Sequence, residues 1–269
     1  MTKYENILNT IKNTRDCSLE MDCEIVDRTA IISIIKTVQV LFYPCYYHYQ
    51  DLNEDSAMER LEELLNSEVE KALKYKQTTT TKEEIVDGFM NQLPSLYEVL
   101  STDLQAIYDG DPAASTKDEI ILCYPGFYAI FIYRLAHALR DLSTPLIPRI
   151  MTEYAHEKTG IDINPGATIG HHFCIDHGTG IVIGETAILG DHVKLYQGVT
   201  IGAKSFENDE NGNPIKGGKR HPNIGNHVIV YANATILGGN TSIGDNCIIG
   251  GNAWITSSVE ANQTIYNKD

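Results

Sequence analysis

Residues 160–204 read GIDINPGATIGHHFCIDHGTGIVIGETAILGDHVKLYQGVTIGAK. In this stretch an aliphatic side chain returns at Ile163, Ile169, Ile175, Ile183, Leu189, Leu195 and Ile201, at intervals of 6, 6, 8, 6, 6 and 6. An amphipathic helix repeats roughly every third or fourth residue and a half-buried strand every second, so neither keeps this register. Stacked coils of a parallel β-helix do, each six-residue unit forming one face and three units closing a coil. The period continues through Ile224, Val230, Ile236, Ile243, Ile249 and Ile255, at intervals of 6, 6, 7, 6 and 6. Glycine often follows the aliphatic (Gly170, Gly184, Gly190, Gly202, Gly225, Gly244, Gly250). That placement predicts tight corners where a side chain or a negative φ is unfavourable.

Two irregularities interrupt the period. The step from Ile201 to Ile224 is 23, which is 23 − 6 = 17 residues too long, and its polar, turn-rich composition (SFENDENGNPIKGGK) predicts a loop protruding over 204–220. The step of 8 predicts a smaller bulge around Asp176–Gly180. Both lie beside histidines, and repeat proteins place insertions on a binding face.

Upstream the period is helical. Ile31, Ile34, Ile35, Val38 and Leu41 fall on one stripe, and Leu61, Leu64, Leu65, Val69 and Leu73 on another. Thr81-x-x-Glu84 has the form of a capping box, Pro94 is placed to open a further helix, and Gly160 to close the last. The predicted architecture is therefore α+β in two parts, an all-α helical domain over 1–158 and a β-helix over 159–269 carrying the inserted loop.

Composition narrows the partners. With 269 residues and 42% hydrophobic content the chain can bury a substantial core. Its 21 basic and 36 acidic residues leave a net charge of −15, which repels nucleic acid and anionic membrane surfaces. An anionic ligand needs a local cationic cluster, and the dense candidate is Lys216, Lys219 and Arg220. Cys17, Cys23, Cys45, Cys123, Cys174 and Cys247 are scattered without a CxxC pair, as expected of free thiols. The N-terminal residues MTKYENILNT lack a leader pattern, and the apolar run over 30–43 is short and broken by Lys36 and Gln39. A cytoplasmic protein with no membrane span is expected.

A hexapeptide β-helix hosts many acyl- and nucleotidyl-transfer reactions, so the period alone selects no chemistry. The irregular segments carry more. Ile175-Asp-His-Gly-Thr-Gly180, Ile183-Gly-Glu-Thr186 and Arg220-His-Pro222, with Asp111-Pro-Ala113 and the run GFYAIFIYR over 126–134 upstream, resemble the serine O-acetyltransferase family from about residue 100 to 258. The resemblance implies that the β-helix is left-handed. It also implies that acetyl-CoA and L-serine are the substrates, with L-cysteine as feedback inhibitor and no metal.

An alcohol needs a base to attack a thioester at neutral pH, and His177 matches the family's base. Asp162, lying 15 residues earlier and near one coil length, is placed to stack beneath His177 and hold its tautomer, or else only to cap the first corner. Asp111, Asp176, Arg220 and His221 match the residues that grip serine, carboxylates for its ammonium and guanidinium for its carboxylate. Asp111 has the alternative reading of a turn or helix cap. Gly202, Ala203, Ala232 and Gly250 match the small residues along the pantetheine groove, between neighbouring solenoids of a homotrimer that is a candidate to pair into a dimer of trimers. Each is also readable as an ordinary repeat corner.

The sequence departs from common members in its longer 204–220 loop and in its C-terminal residues, Ile265-Tyr-Asn-Lys-Asp269, where others carry a long tail ending in isoleucine. A stable cysteine synthase complex, which uses that tail, is not expected of this C-terminus. Two rival functions stand beside this one. A γ-class carbonic anhydrase would use His172 and His177 with a third ligand that must be His137, a residue in a helical pattern. An acetyltransferase for another small hydroxyl acceptor, such as homoserine, a sugar or an antibiotic, is the closer rival, separated from serine by a panel of acceptors with detection of free CoA.

Overall fold

The computed structural model describes residues 4–14, 25–76, 78–205, 209–213, 215 and 217–266. Cys17, Cys23, Lys216 and the three C-terminal residues, all named above, lie outside this set. Among the described residues are seven helices: α1 (Glu5–Thr14), α2 (Arg28–Phe42), α3 (Glu54–Tyr75), α4 (Lys82–Gly110), α5 (Lys117–Cys123), α6 (Pro125–Asp141) and α7 (Ile147–Thr159). The Thr81/Glu84 capping box forms and starts α4, and Gly160 ends α7 in the left-handed conformation at φ 69°.

Pro94 departs from expectation. It lies inside the 29-residue α4 and opens no new helix. An interior proline removes one backbone bond and costs about 3 kcal/mol. The stripe Ile85, Phe89, Leu93, Leu96, Leu100 and Ile107, all buried, holds the helix together around it. The core element of this half is α6, where Phe127, Ile130, Phe131, Ile132, Tyr133 and Leu135 are buried against α4 and α7. No single described helix is long and apolar enough to cross a membrane.

From Asp162 onward the chain winds as a left-handed β-helix. One face stacks β1 (Asp162–Ile163), β4 (Val182–Ile183), β7 (Thr200–Gly202), β10 (Thr235–Leu237) and β13 (Trp254–Ile255). The second stacks β2 (Thr168–Ile169), β5 (Ile188–Leu189), β8 (Asn223–Ile224) and β11 (Ser242–Ile243). The third stacks β3 (Cys174–Asp176), β6 (Lys194–Tyr196), β9 (Ile229–Val230), β12 (Ile248–Ile249) and β14 (Thr264–Ile265).

All described pairings are parallel, and the repeating aliphatics lie directly over one another. Ile163, Ile183, Ile201, Ile236 and Ile255 make one stave, and Ile175, Leu195, Val230, Ile249 and Ile265 another. Ile265 thus belongs to the last coil. The register also dates each irregularity. Asp162 pairs with Val182, a coil of 20 residues that contains the bulge; Val182 pairs with Thr200, a coil of 18; Thr200 pairs with Thr235, a coil of 35 that holds the 17-residue loop.

Of the two causes predicted for the corner glycines, the exclusion of a side chain holds and the need for a positive φ does not. At Gly190 the φ is not positive; a Cβ there would sit 3.0 Å from the backbone N of Asn226 in the next coil. Glycine is needed because stacked coils approach closely, and the left-handed φ falls two residues later, on His172, His192, His227 and Asn246.

The first coil has no coil beneath it, and its edge would expose unpaired backbone groups. The helical half covers that edge. Tyr133 donates to Ala167 O at 2.6 Å, and Arg134 donates to Ile169 O and Gly170 O, each at 2.6 Å. Asp103 accepts from Phe173 N at 2.8 Å and pairs with Arg134 Nε at 3.0 Å, both side chains being buried.

Candidate active site

The bulge after β3 folds back on the start of its own coil, where Gly180 N donates to Gly160 O at 2.8 Å. To make so sharp a return, His177, Gly178 and Gly180 take left-handed φ values of 58°, 95° and 83°. Only glycine adopts these freely, so a histidine there is held by its surroundings. The result is an imidazole thrust into solvent, 74% exposed, with Nε2 3.8 Å from Asp176 Oδ1.

Asp111, at the C-terminal end of α4, joins the same corner. Its carboxylate accepts from Ala113 N and from the Tyr124 hydroxyl, each at 2.8 Å. Those two hydrogen bonds, with smaller help from Lys194 and His177, hold Asp111 below the usual aspartate range; the same bond pushes Tyr124 up to about 12. Cys174 lies beneath, but burial pushes its thiol up to about 12, which removes it as a nucleophile.

A second cluster forms at another corner, between the first and second faces, where the 204–220 loop returns. Thr186 organises it. Its hydroxyl oxygen accepts from Arg220 N at 3.0 Å and His221 N at 3.1 Å, and its backbone N–H donates to His221 Nδ1 at 3.0 Å. With Nδ1 accepting, the neutral ring carries its proton on Nε2. Burial, and then the charge of Arg220, depress His221 to about 4, so the ring is neutral near pH 7. Gly184 leaves room for that ring, which a Cβ would strike. Arg220 is paired with Glu185. Lys204, Lys219 and Arg220, with Gly238, Asn240 and Thr241, line a cleft of about 430 Å³ beside them.

The expected site residues therefore assemble as two half-sites. Asp111, Asp176 and His177 meet at the corner after the third face; Arg220 and His221 meet at the corner before the second. The small residues divide likewise. Asn252 N donates to Ala232 O at 2.9 Å, which puts Ala232 and Gly250 on the His177 corner, whereas Gly202 and Ala203 lead into the 204–220 loop.

Asp162 departs from its expected place. Because its coil has 20 residues, it stacks with Val182, while Asp176 stacks with Tyr196. Asp162 and His177 are thus the start and end of one coil, not stacked neighbours. The ion partner of Asp162 is Arg149, at 4.0 Å, in a group with Glu153 and His156. His172 lies at a third corner, stacked on His192 at 4.1 Å between ring centroids, so it does not converge with His177 on a metal. Sequence reading passed over Lys194 and Tyr124. The available signal for Lys194 was its outward position on β6, one coil beyond the bulged strand.

A left-handed hexapeptide solenoid capped by helices, with an exposed histidine–carboxylate corner, defines a transferase-type scaffold. A family model described as serine acetyltransferase, N-terminal, matches residues 46–131. A plasmid serine acetyltransferase of Synechococcus elongatus is 52% identical over 182 residues, 68% of this chain and 57% of that protein. The serine acetyltransferase of Helicobacter pylori is 44% identical over 61% of this chain and 91% of its own length.

Among solved structures, serine acetyltransferase 1 of Entamoeba histolytica in complex with L-cysteine superposes with a TM-score of 0.79 at 36% identity, covering 97% of this chain and 96% of that one. The Brucella abortus enzyme in complex with coenzyme A gives 0.63 at 25% identity, covering 100% and 88%. The chain belongs to the serine acetyltransferase family.

Proposed function

We propose that the protein transfers the acetyl group of acetyl-CoA to the hydroxyl of L-serine, giving O-acetyl-L-serine for cysteine biosynthesis. The observation that carries this reading is the left-handed His177 corner, which aims a solvent-exposed imidazole past two carboxylates. His177 takes the hydroxyl proton as the serine oxygen attacks the thioester carbonyl. The C–S bond then breaks, and the proton passes to the departing CoA sulfur. Asp111 and Asp176 hold the ammonium group, and Arg220 the carboxylate. His221 offers an Nε2–H as a neutral donor at the reacting centre. Asp162 begins the coil that His177 ends, so it is the carboxylate to orient the ring when the exposed imidazole turns from Asp176.

The separation of the half-sites on different corners of one chain supports active sites completed by a neighbouring subunit in a homotrimer. CoA lies in the groove between subunits, its anionic end in the cleft of Lys204 and Lys219, with Gly202, Ala203, Ala232 and Gly250 along the arm. The complexes of relatives with coenzyme A and with L-cysteine support both the donor and an inhibitor that shares serine's ammonium and carboxylate. Four free cysteines among the described residues fit a cytoplasmic setting. The test is a panel of hydroxyl acceptors assayed by release of free CoA. L-serine should exceed homoserine, sugars and aminoglycosides in kcat/KM; a better acceptor among the others would transfer the assignment to it.

A further inference from the structure

Lys194 is the cation that ties the Asp176 carboxylate to the end of α4 that carries Asp111. It projects outward from β6, one coil above the bulge, with its side chain 15% exposed. Its ammonium makes three contacts. It pairs with Asp176 Oδ2 at 3.0 Å, donates to Gly110 O at 2.7 Å, and lies 4.5 Å from the centre of the Tyr196 ring. Gly110 is the last residue of α4 and Asp111 the next, so one ammonium joins the helical half to the solenoid beside both carboxylates. A cation at a helix C-terminus also meets the negative end of the helix dipole. These contacts are directional, and they leave Oδ1 as the Asp176 oxygen that faces His177.

We infer that Lys194 is a positioning residue of the amino-acid pocket: it fixes Asp176 and the Asp111-bearing end of α4 at the separation that receives one substrate ammonium. This rests on the reading of Asp111 and Asp176 as the ammonium contacts. With the lysine charge present, Asp111, Asp176 and Lys194 sum to one net negative charge, which matches a single ammonium. Without it, two carboxylates repel across the pocket and the α4 end loses its tether. The acyl donor is placed on the Lys204 and Lys219 cleft and on the small residues along its arm, and the contacts of Lys194 are instead with Asp176, Gly110 and Tyr196, so the donor's affinity has no reason to change.

The experiment compares the full-length wild type with Lys194→Met, which keeps the apolar stem, and Lys194→Arg, which keeps the charge. Steady-state constants for L-serine and acetyl-CoA are measured at equal folded concentration. For the methionine variant we expect the serine KM to rise about 10-fold, with the acetyl-CoA KM held within about twofold and serine KM largely restored in the arginine variant. Unchanged serine KM in Lys194→Met overturns the inference. So does a parallel rise in both constants, or loss of fold in Lys194→Met with normal constants in its remaining folded fraction, because each marks a structural residue only. Failure of the underlying reading is separate: Asp111→Asn and Asp176→Asn would then leave the serine KM unchanged.

Discussion

Replacing Arg134 by methionine should be among the most damaging single changes outside the site. The guanidinium is buried, bound to Asp103 through Nε at 3.0 Å and Nη2 at 3.1 Å, and bound to the carbonyls of Ile169 and Gly170. Removing one partner of a buried ion pair costs about 3–5 kcal/mol, because the other charge is left in place. Two carbonyls losing their donor add about 1–3 kcal/mol each where they stay dry. These costs overlap, so the expected loss is about 4–6 kcal/mol, not the full sum.

Burial already raises Asp103, opposed by Arg134. Without the arginine, the folded variant binds a proton more readily than its unfolded chain, so its deficit should shrink as pH falls. Urea unfolding at matched protein concentration, at pH 8 and pH 5, measures both effects. Arg134→Met with Asp103→Leu should recover part of the loss, because no buried charge remains. A loss under about 1 kcal/mol in the single variant, or a double variant no better than it, would refute the capping role of this pair.

Three further outcomes follow from the site. His177→Asn, chosen because asparagine tolerates φ 58°, should lower kcat by at least about 10²-fold with an unchanged circular dichroism spectrum. Mixing inactive His177→Asn and His221→Ala subunits should restore part of the wild-type activity, and no recovery after verified exchange would place each site within one chain. His221 takes up a proton near 6.5 when unfolded and only at about 4 when folded, so its contribution is present above pH 6.5 and lost as pH falls towards 4. The loss is at most roughly 3 kcal/mol, and His221→Gln should flatten the stability profile across that window.

The solenoid was legible because its repeating stave position carries Ile, Leu or Val each time, and a period of six survives even two insertions. All thirteen repeat positions read from sequence lie on the observed staves. What the period conceals is coil length. Asp162 and His177 are 15 residues apart, short of both the ordinary coil of 18 and the bulged coil of 20, so Asp162 stacks with Val182 and not with His177, and only strand register reveals that. The glycine pattern was visible, and with it the exclusion of a side chain, while the place of the left-handed φ, two residues further on, was not. Lys194 and the Arg134–Asp103 pair were hidden because they span 84 and 31 residues of sequence to reach a backbone and a carboxylate partner. Pro94 shows the opposite failure, a strong local signal overridden by burial on both sides of it.

The most direct test is to incubate the purified chain with acetyl-CoA and L-serine and to follow both products, free CoA by its thiol and the amino acid by mass spectrometry. The account predicts O-acetyl-L-serine in equal amount to CoA, with negligible CoA released when serine is omitted. CoA release that is independent of serine, or absent under both conditions, would contradict it.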